Sequence, residues 1–406
     1  MEIQPYILRD LFFNCVAQTS PSPLGLNIHR AEGVFLYSLQ PDGVSEKKII
    51  DLISGVSVSN VGHCNKEIIN AINAQVEKYS HIMVYGEMIQ APQVMHASVL
   101  SSILPPSLSC VYYVNSGSEA NEAALKLAKR VSGRTEMISC YNAYHGSSHG
   151  ALSMMSDTAF KQSFEPLLPE VKYIRFNNLE DLSIISTATA CVLIEPVQGE
   201  GGVNVATKEY MQALREKCNQ TGTLLIFDEI QTGFGRTGKM FAFENYNILP
   251  DILTLAKALG GGMPLGALVA SKELMKAWQS KPVLGHITTF GGHPVSCAAA
   301  LASLKILLRE NWISEVEEKS KRFIKALSAH SQVKEIRAAG LLIAIDLKSF
   351  EKAQKILYLL LDDGVLTDWF LFQGTSFRIA PPLCISNEEI DWALERIIGA
   401  LDKLDN

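Results

Sequence analysis

The sequence predicts an α/β fold in which a large domain with a mainly parallel sheet is followed by a smaller α/β domain. Between about residues 110 and 270, short apolar runs of β type alternate with helical patterns. This alternation is typical of a parallel sheet covered by helices. After Pro294 a long helix rich in Ala and Leu is predicted, and beyond it the order changes to helix, strand, helix. That change indicates the second domain.

Six apolar runs are the clearest predicted strands of the large domain. They span residues 111–114, 136–140, 171–175, 190–194, 223–227 and 267–270. Between the first two, a helix is predicted over 119–132 because apolar residues recur there at helical spacing, and Gly133 follows as a stop signal. The predicted apolar face consists of Ala120, Ala124, Leu127, Ala128 and Val131. Strand, helix and strand in this order form a βαβ unit.

The patterns divide the chain into three predicted parts. Residues 1–50 form an N-terminal segment that packs with the small domain, and its Pro- and Ser-rich stretch 19–23 is interpreted as part of an arm. Residues 51–300 form the large domain. Residues 301–406 form the C-terminal small domain, with a strand near 341–346 and a last helix that begins at Asn387.

Composition limits the classes of partner and location. The net charge of -6 is spread along the chain without a basic run, so nucleic acid is not an expected partner. The eight cysteines lie far apart, with no Cys-x-x-Cys pair and no His at ligand spacing, so we expect reduced, mostly buried thiols and no metal site. The N-terminus does not resemble a signal peptide, and no apolar run reaches the roughly 20 residues of a membrane span. We expect a cytoplasmic protein with no membrane partner.

A turn that contains glycine follows the predicted strand 111–114 and leads directly into the predicted helix. Ser116 and Glu119 have the spacing of a capping box, which is consistent with a well-capped helix start. Small residues at the carboxyl end of a strand, with a helix dipole behind them, also form a site for an anion. The two interpretations are compatible, and both stay open.

A carboxylate and a lysine follow two further apolar runs. Asp228 comes after the sequence Leu-Leu-Ile-Phe, at the strand end where ligands bind in open α/β sheets. Taken alone, this position favours a capping residue, a common use of Asp at strand ends. Lys257 follows the run 251–255 and precedes three glycines. Its apolar and small neighbours suggest burial, which lowers the pKa of an amine so that it can attack a carbonyl. The alternative is a surface lysine beside a flexible turn.

These three segments, in this order, resemble those of the class III aminotransferases of the ornithine and acetylornithine type. Those enzymes belong to fold type I, the aspartate-aminotransferase-like fold of the pyridoxal-phosphate (PLP) enzymes. The resemblance extends over nearly the whole chain and rests also on the blocks SGV at 54–56, GH at 62–63, AYHG at 143–146, IEPVQGEGG at 194–202, TTFGG at 288–292 and FRIAPPL at 377–383. Ordered blocks are far more specific than one Lys-Gly-Gly match.

The resemblance implies that the large domain binds PLP. Lys257 would hold the cofactor as a Schiff base and then act as the base that moves a proton between cofactor and substrate. Asp228 would pair with the pyridine nitrogen and keep it protonated, so that the ring accepts electrons. The remaining cofactor contacts implied are phosphate binding by Gly117 and Ser118, ring stacking by Tyr144 and a contact of Gln231 on the 3-hydroxyl side. Outside their block, Tyr144 could be an ordinary core residue and His145 a satisfied loop histidine.

The resemblance also implies a homodimer and a set of substrate contacts. Thr289 would bind phosphate in the active site of the neighbouring subunit, and Thr288 would lie near the substrate. Arg378 would grip the substrate's α-carboxylate; because it lies in a short apolar segment, we expect it to have a carboxylate partner. Glu200 would be the gate that neutralises this arginine when an amine substrate binds, or else a capping residue of its Gly-rich loop. Ser147 stands where these members commonly have an arginine, and it offers no charge to a substrate carboxylate.

The predicted function is amino-group transfer between small metabolites. The donor is an amino acid or ω-amine of the acetylornithine, ornithine or 4-aminobutyrate kind, the acceptor is a keto acid such as 2-oxoglutarate or pyruvate, and the mechanism is ping-pong. One alternative is an aminomutase or decarboxylase of the same superfamily, against which Arg378 and Glu200 argue. The other is a catalytically idle PLP-binding scaffold, which retention of the cofactor residues makes a poorer explanation.

Overall fold

The helices and strands are those of a computed structural model that describes residues 5–405. The strands are β1 Ile28–Glu32, β2 Phe35–Leu39, β3 Glu46–Asp51, β4 Cys110–Val114, β5 Glu136–Cys140, β6 Val171–Ile174, β7 Thr189–Ile194, β8 Val197–Gln198, β9 Asn204–Val205, β10 Leu224–Asp228, β11 Ile252–Leu255, β12 Gly266–Ala270, β13 Glu335–Ala338, β14 Ile343–Asp346, β15 Val365–Leu366, β16 Trp369–Phe370 and β17 Gln373–Ile379. The helices are α1 Pro5–Cys15, α2 Ser54–Ser57, α3 Lys66–Lys78, α4 Ala91–Ser102, α5 Gly117–Ser132, α6 His149–Ser153, α7 Thr158–Lys161, α8 Lys208–Thr221, α9 Lys272–Met275, α10 Pro294–Arg309, α11 Trp312–Leu327, α12 Phe350–Asp362 and α13 Asn387–Asp402.

A seven-stranded sheet with the order β4-β12-β11-β10-β7-β5-β6 organises the larger part of the chain. The strands from β11 to β6 pair in parallel, whereas β12 pairs antiparallel with β11 and with β4. The prediction of a mainly parallel sheet is confirmed, and the six predicted strands are present with ends shifted by at most one residue. The carboxyl ends of the parallel strands meet at one edge, where ligands of such sheets bind.

The central strands and helix α5 form the core beneath this edge. Every residue of β7 is buried, as expected for a strand covered on both faces. Helix α5 buries Ala120, Ala124, Leu127 and Ala128, as predicted, and ends at Gly133 in a left-handed conformation. Val131 was wrongly placed on this apolar face. It is 41% exposed, because it lies in the last turn of the helix next to Gly133.

Two smaller four-stranded sheets involve the ends of the chain. One has the order β13-β14-β17-β16 and belongs to the segment after α10. The other has the order β1-β2-β3-β15, so that three N-terminal strands pair with a strand from the C-terminal segment. In this pairing Ile50 lies beside Val365 and Asp51 beside Leu366, in parallel. The first strands of the chain are therefore held by its last hundred residues or so.

Arg236 connects distant segments from inside the protein. Its side chain is fully buried, and Nη1 donates to the carbonyl oxygens of Leu341 and Pro381 at 2.9 and 2.6 Å. Nη2 donates to Ser54 Oγ at 3.0 Å and to Asn60 Oδ1 at 2.5 Å. Burial lowers the pKa of this guanidinium to about 9. Hydrogen bonds to four oxygens offset the loss of solvation.

The segment α2 is a turn of left-handed backbone. All four of its residues have positive φ, between 44° and 63°, and only Gly55 is a glycine. Left-handed conformation costs roughly 1–2 kcal/mol for each residue that carries a Cβ. The hydroxyl of Ser54 donates to Ala380 O at 2.6 Å, and its bond with Arg236 adds a second restraint. The turn is thus held in a strained conformation by the surrounding structure.

The burial of the cysteines agrees only in part with the sequence prediction. Free thiols are found at all eight positions, but only Cys140, Cys191, Cys218 and Cys297 are buried, and Cys15 and Cys64 are exposed. The expectation that most thiols would be buried is therefore too broad.

Within residues 5–405, no helix has both the length and the apolar character needed to cross a membrane.

Candidate active site

A cavity of ≈ 390 Å³ lies at the carboxyl edge of the central sheet. Its walls come from segments that follow β4, β5, β7, β10 and β11. Eight residues singled out from the sequence line it, namely Gly117, Ser118, Tyr144, Ser147, Glu200, Asp228, Gln231 and Lys257. The sheet thus brings together residues that are up to 140 positions apart in the chain.

The start of helix α5 forms one wall of the cavity. Ser116 is the N-cap, and its hydroxyl accepts a hydrogen bond from Glu119 N–H at 3.2 Å. Gly117 and Ser118 occupy the first helical positions, whose N–H groups have no acceptor within the helix itself. A Cβ at Gly117 would lie 2.8 Å from Ile230 Cδ1, so this close approach requires glycine. The helix is capped, and its first N–H groups are available to an anion.

Asp228 ends β10 and is held by three donors. Its Oδ2 lies 2.8 Å from His145 Nδ1 and accepts a hydrogen bond from Asn121 Nδ2, also at 2.8 Å. Its Oδ1 accepts from Ile230 N–H at 3.0 Å. Asp228 therefore caps the following turn, as one interpretation predicted, and it also lines the cavity at the strand end. His145 is buried and binds this carboxylate, which gives it more than the role of a loop histidine.

Lys257 follows β11 and extends into the cavity. Enclosure lowers the pKa of its amine below the usual value, Arg378 lowers it further, and the carboxylates of Glu200, Asp228 and Glu195 oppose the change. A larger fraction of the amine is therefore unprotonated, which is the nucleophilic form. Its backbone has φ +50°, a conformation that residues with a Cβ adopt mainly where the surroundings enforce it. The surface-lysine alternative does not describe this position.

The amide of Gln231, which lines the cavity, lies directly against Gly199. Gln231 is buried, and its Nε2 has no hydrogen-bond partner within residues 5–405. A Cβ at Gly199 would lie 1.8 Å from Gln231 Oε1, so the glycine makes room for this amide. An unpaired buried N–H donor costs about 1–3 kcal/mol, which an acceptor bound in the cavity would recover.

The variant Gly199→Ala is expected to bind the cofactor that the family resemblance implies about tenfold less tightly, because the added methyl group displaces the Gln231 amide. The measurement is the dissociation constant of pyridoxal phosphate, obtained by fluorescence titration of the cofactor-free protein. Gly399→Ala is the matched control, since a Cβ at this helical position meets nothing within 4 Å. Equal affinity of the two variants would contradict the prediction.

Tyr144 and Ser147 form the opposite rim. Tyr144 is half-buried, and its hydroxyl lies 3.3 Å from Ser147 Oγ, so it is a wall of the cavity and not a core residue. Ser147 is exposed and brings no charge to this rim. Between them, Gly146 has φ +124°, and a Cβ there would lie 2.5 Å from Ser118 Oγ. The glycine therefore lets the two walls approach each other.

Arg378 lies behind Glu200, outside the residues that line the cavity. It is 1% exposed, and its Nη2 donates to Glu200 Oε1 at 2.7 Å. The prediction of a carboxylate partner is confirmed. Glu200 Oε2 also accepts from Leu371 N–H at 3.2 Å, so the alternative capping role of Glu200 is present beside the ion pair.

Thr288 and Thr289 lie apart from the cavity walls of this single chain. Thr288 Oγ1 accepts a hydrogen bond from Asn115 Nδ2 at 2.8 Å, which places it beside the turn before α5. Thr289 is exposed, and the neighbouring Ile287 and Phe290 are exposed apolar residues. The loop thus presents Thr289 outward.

Three residues of the site were not singled out from the sequence. Asn121 binds Asp228 and also accepts from Thr254 Oγ1 at 2.8 Å, and a polar residue on the buried face of α5 was the available signal. Glu195 is fully enclosed; burial raises its pKa to about 7, and it accepts from the N–H groups of Tyr144 and Gly199. Asp368 approaches Arg378 Nε at 3.0 Å, a contact that no local motif announces.

Comparison with known proteins identifies the family of this chain. Residues 16–401 match the model of the family described as Aminotransferase class-III. The chain belongs to the class III aminotransferases. This aminotransferase is 41% identical over 372 residues to the acetylornithine aminotransferase of Methanocaldococcus jannaschii, covering 89% of this chain and 90% of the relative. It is 36% identical to the [LysW]-aminoadipate semialdehyde/glutamate semialdehyde transaminase of Sulfolobus acidocaldarius, over 94% of this chain and 96% of the relative.

Solved structures give the same family and fold. The ornithine aminotransferase of Toxoplasma gondii, whose active site holds PLP at partial occupancy, superposes with a TM-score of 0.90 at 27% identity, covering 99% of this chain and 95% of that one. The fold type I architecture is thus confirmed for this aminotransferase. Because the relatives are named as transaminases, amino-group transfer is favoured over the aminomutase, decarboxylase and idle-scaffold alternatives.

The cavity of this aminotransferase fits the cofactor of its family, pyridoxal phosphate. A primary amine with a lowered pKa, a carboxylate fixed at a strand end and free helix N–H groups lie around one space. The Nε2 of Gln231, which has no partner among the residues that the structure describes, is a donor that an oxygen of the ring would satisfy. These groups match an aldehyde, a pyridine nitrogen, a phosphate and a hydroxyl, respectively.

Proposed function

We propose that this aminotransferase moves the amino group of an ω-amine or amino acid donor to a keto acid, such as 2-oxoglutarate or pyruvate, by a ping-pong mechanism. One observation carries the proposal: the Arg378–Glu200 pair stands directly behind a cavity that contains Lys257. A substrate carboxylate can meet a cation there, and a substrate without one can meet a neutral pair. Both halves of a ping-pong reaction could therefore use the same space.

The proposed cofactor contacts follow from the cavity walls. Bound PLP supplies an electron sink that stabilises negative charge on the reacting carbon. The backbone N–H of Gly117 and the hydroxyl of Ser118 would hold the phosphate, and Tyr144 would pack on the ring. Asp228 holds a proton at the pyridine nitrogen, and Gln231 Nε2 donates to the 3-hydroxyl oxygen.

Lys257 is proposed to bind the cofactor and to move the proton. Once the substrate amine has displaced it, the Lys257 Nζ remains in the cavity as a base of lowered pKa. In its unprotonated form, which the lowered pKa favours, the amine can take a proton from one carbon and return it to another. The amide of Gln231, the carboxylate of Asp228 and the ring of Tyr144 keep the reacting groups in place meanwhile.

Arg378 and Glu200 are proposed to distinguish the two substrates. With Glu200 on Arg378 Nη2, the pair suits an amine whose carboxylate is remote from the reacting carbon. When Glu200 moves away, Arg378 can bind the α-carboxylate of an amino acid or keto acid. Ser147 and Thr288 are proposed to contact the distal part of the substrate, and the uncharged Ser147 weakens the fixation of a distal carboxylate there.

Glu200→Gln is expected to shift this balance toward α-carboxylate substrates by about tenfold, because the amide no longer neutralises Arg378. The measurement is the ratio of kcat/KM for glutamate to kcat/KM for acetylornithine in the first half-reaction. Glu273→Gln is the control, since Glu273 forms an exposed ion pair with Lys276 far from the cavity. A ratio equal to that of the control would count against the gate.

The function itself is tested by following the absorbance of the bound cofactor. An amine from a panel of acetylornithine, succinylornithine, ornithine, 4-aminobutyrate, lysine and aspartate should convert the cofactor to its amino form when added alone. A keto acid added afterwards should restore the original spectrum. A spectrum that no amine changes, or that returns without a keto acid, would refute a ping-pong transaminase.

We further propose a cytoplasmic homodimer with shared active sites. The outward position of Thr289 among exposed apolar residues supports a contact in which it reaches the phosphate of the neighbouring subunit. We also propose that residues 51–300 form the PLP-binding domain and that residues 1–50 belong with the small domain 301–406. The pairing of β3 with β15 supports this division.

A further inference from the structure

Arg378 has a second carboxylate partner in addition to the proposed gate. Asp368 Oδ1 lies 3.0 Å from Arg378 Nε, while Glu200 Oε1 lies 2.7 Å from Nη2. The ring of Phe370 lies 4.6 Å from the guanidinium and covers one face of it. Among the described residues neither Nη1 nor Nε has a hydrogen-bond partner, and Nε is within ion-pair distance of Asp368 without a hydrogen bond to it. One buried cation thus stands between two anions, with N–H donors left for a substrate.

The two carboxylates are attached to the protein in different ways. Asp368 directly precedes β16, and its carbonyl oxygen accepts the backbone N–H of Arg378 at 2.9 Å. The neighbouring Thr367 hydroxyl donates to the carbonyl oxygen of Arg378. Asp368 is therefore fixed to the same hairpin as Arg378. Glu200 comes from a glycine-rich loop of the other part of the chain, and its carbonyl oxygen accepts from Phe372 N–H at 3.0 Å. Its backbone is therefore also held, and only its longer side chain would have to leave Arg378, whereas the side chain of Asp368 is shorter.

Because Asp368 stays beside Arg378 when Glu200 leaves, the net charge around Arg378 depends on both carboxylates. With Glu200 in place, one positive and two negative charges leave the cluster at about -1. When a substrate carboxylate replaces Glu200, the total remains about -1 because Asp368 is still present. Asp368 also places a like charge 3.0 Å from Nε, so a substrate carboxylate is repelled from that edge and meets the guanidinium more favourably at its Nη1 and Nη2 end.

We propose that Asp368 is a specificity-determining residue that weakens the binding of a carboxylate on the reacting carbon and so favours amines whose carboxylate is remote. The inference rests on the proposed function, since it assumes that Arg378 receives that carboxylate. The Asp368 side chain remains on Arg378 through both half-reactions. It sets how strongly the keto acid binds, whereas Glu200 sets which substrate is admitted.

The titration of Asp368 gives the effect a pH dependence. Burial raises the pKa of its carboxyl to about 6; Arg378 and Lys257 oppose this rise, and the negative charges of Glu200 and Asp51 add to it. Asp51 is itself 2.8 Å from His63 Nε2 and also influences the buried Arg236. Above about pH 6 the Asp368 carboxylate is charged and competes for Arg378. As the pH falls through that value it becomes neutral, and keto acid binding should strengthen.

The test compares holoenzymes of the wild type, Asp368→Asn and the control Asp363→Asn, whose carboxylate pairs with Lys403 at the surface. The KM for 2-oxoglutarate in the second half-reaction should fall about tenfold in Asp368→Asn, because one like charge is removed. The KM for acetylornithine, or for whichever amine of the panel reacts, should stay within about twofold of the wild type, since Glu200 still neutralises Arg378. The control should change neither value.

The outcomes separate this inference from the function on which it rests. If no amine changes the wild-type cofactor spectrum, the proposed function fails. If the wild type reacts but Asp368→Asn leaves the keto acid KM unchanged, raises it, or lowers both KM values equally, only the role of Asp368 fails. Should the variant lose its cofactor or its cooperative melting, the wild-type profile decides. A keto acid KM that does not fall between about pH 7.5 and about pH 5.5 then overturns the proposal.

Discussion

Lys257→Ala is expected to abolish the visible absorbance of the Schiff base and to lower kcat by at least about 10⁴-fold, because we propose that this one side chain supplies both the covalent link and the proton-transferring base. The cavity offers no replacement. Of the residues that line it, Lys257 alone carries a primary amine, and the nearby carboxylates are already bound to N–H donors or to Arg378. The alanine variant should still bind the cofactor through the phosphate contacts.

The measurement is an absorbance spectrum with borohydride trapping, followed by single-turnover kinetics. Lys276→Ala is the matched control, because Lys276 is an exposed lysine paired with Glu273 and should keep both spectrum and rate. Trapping of cofactor on a lysine other than Lys257, or an unchanged spectrum in Lys257→Ala, would disprove the assignment. Added methylamine should restore part of the lost rate if the amine acts as the base.

Asp228→Asn is expected to lower the rate of the half-reaction by about 10³-fold while the cofactor stays bound. A neutral amide cannot hold a proton on the pyridine nitrogen by charge, so the ring becomes a poorer electron sink. The amide has nearly the same shape as the carboxylate, and its oxygen can still accept from Ile230 N–H. The loss should therefore appear in kcat more than in the KM for the amine.

The control for this variant is Asp181→Asn. Asp181 pairs with Arg175 at the surface, which lowers its carboxyl pKa to about 2, and it is remote from the cavity. The measurement is the rate of cofactor conversion after rapid mixing with a saturating amine. A half-reaction as fast as that of Asp181→Asn would show that Asp228 does not govern the electronics of the ring.

Local pattern was sufficient to predict the central sheet. The strands are short apolar runs between clear turn signals, so their ends could be placed within a residue, and β10 delivers Asp228 to the cavity as predicted. Val131 was placed wrongly because helical spacing does not reveal where a helix extends past the sheet that it covers. Periodicity describes a face, not what lies against it.

The position of a residue at the cavity could be predicted where the residue belongs to a sequence motif. It could not be predicted where it depends on contacts between segments far apart in the chain. Lys257, Gly117 and Gln231 belong to recognisable blocks and line the cavity. Asp368 meets Arg378 only because β16 and β17 form a hairpin, and Asn121 meets Asp228 only because α5 crosses β10 and β11. Asn121 leaves one local signal, a polar residue on the buried face of α5, which does not name its partner, and Asp368 leaves none.

The strand pairing between β3 and β15 has a consequence for the order in which the chain folds during synthesis. Asp51 pairs with Leu366 in that sheet, and it leaves the ribosome more than 300 residues earlier. At 5–20 residues per second, the N-terminal strands wait about 15 to 60 s with an open edge. Arg236 must also wait for part of its hydrogen bonds. Its acceptors Ser54 and Asn60 are synthesised before it, but Leu341 and Pro381 are synthesised more than 100 residues after it. A nascent chain stalled before β15 should therefore expose an unpaired edge to chaperones.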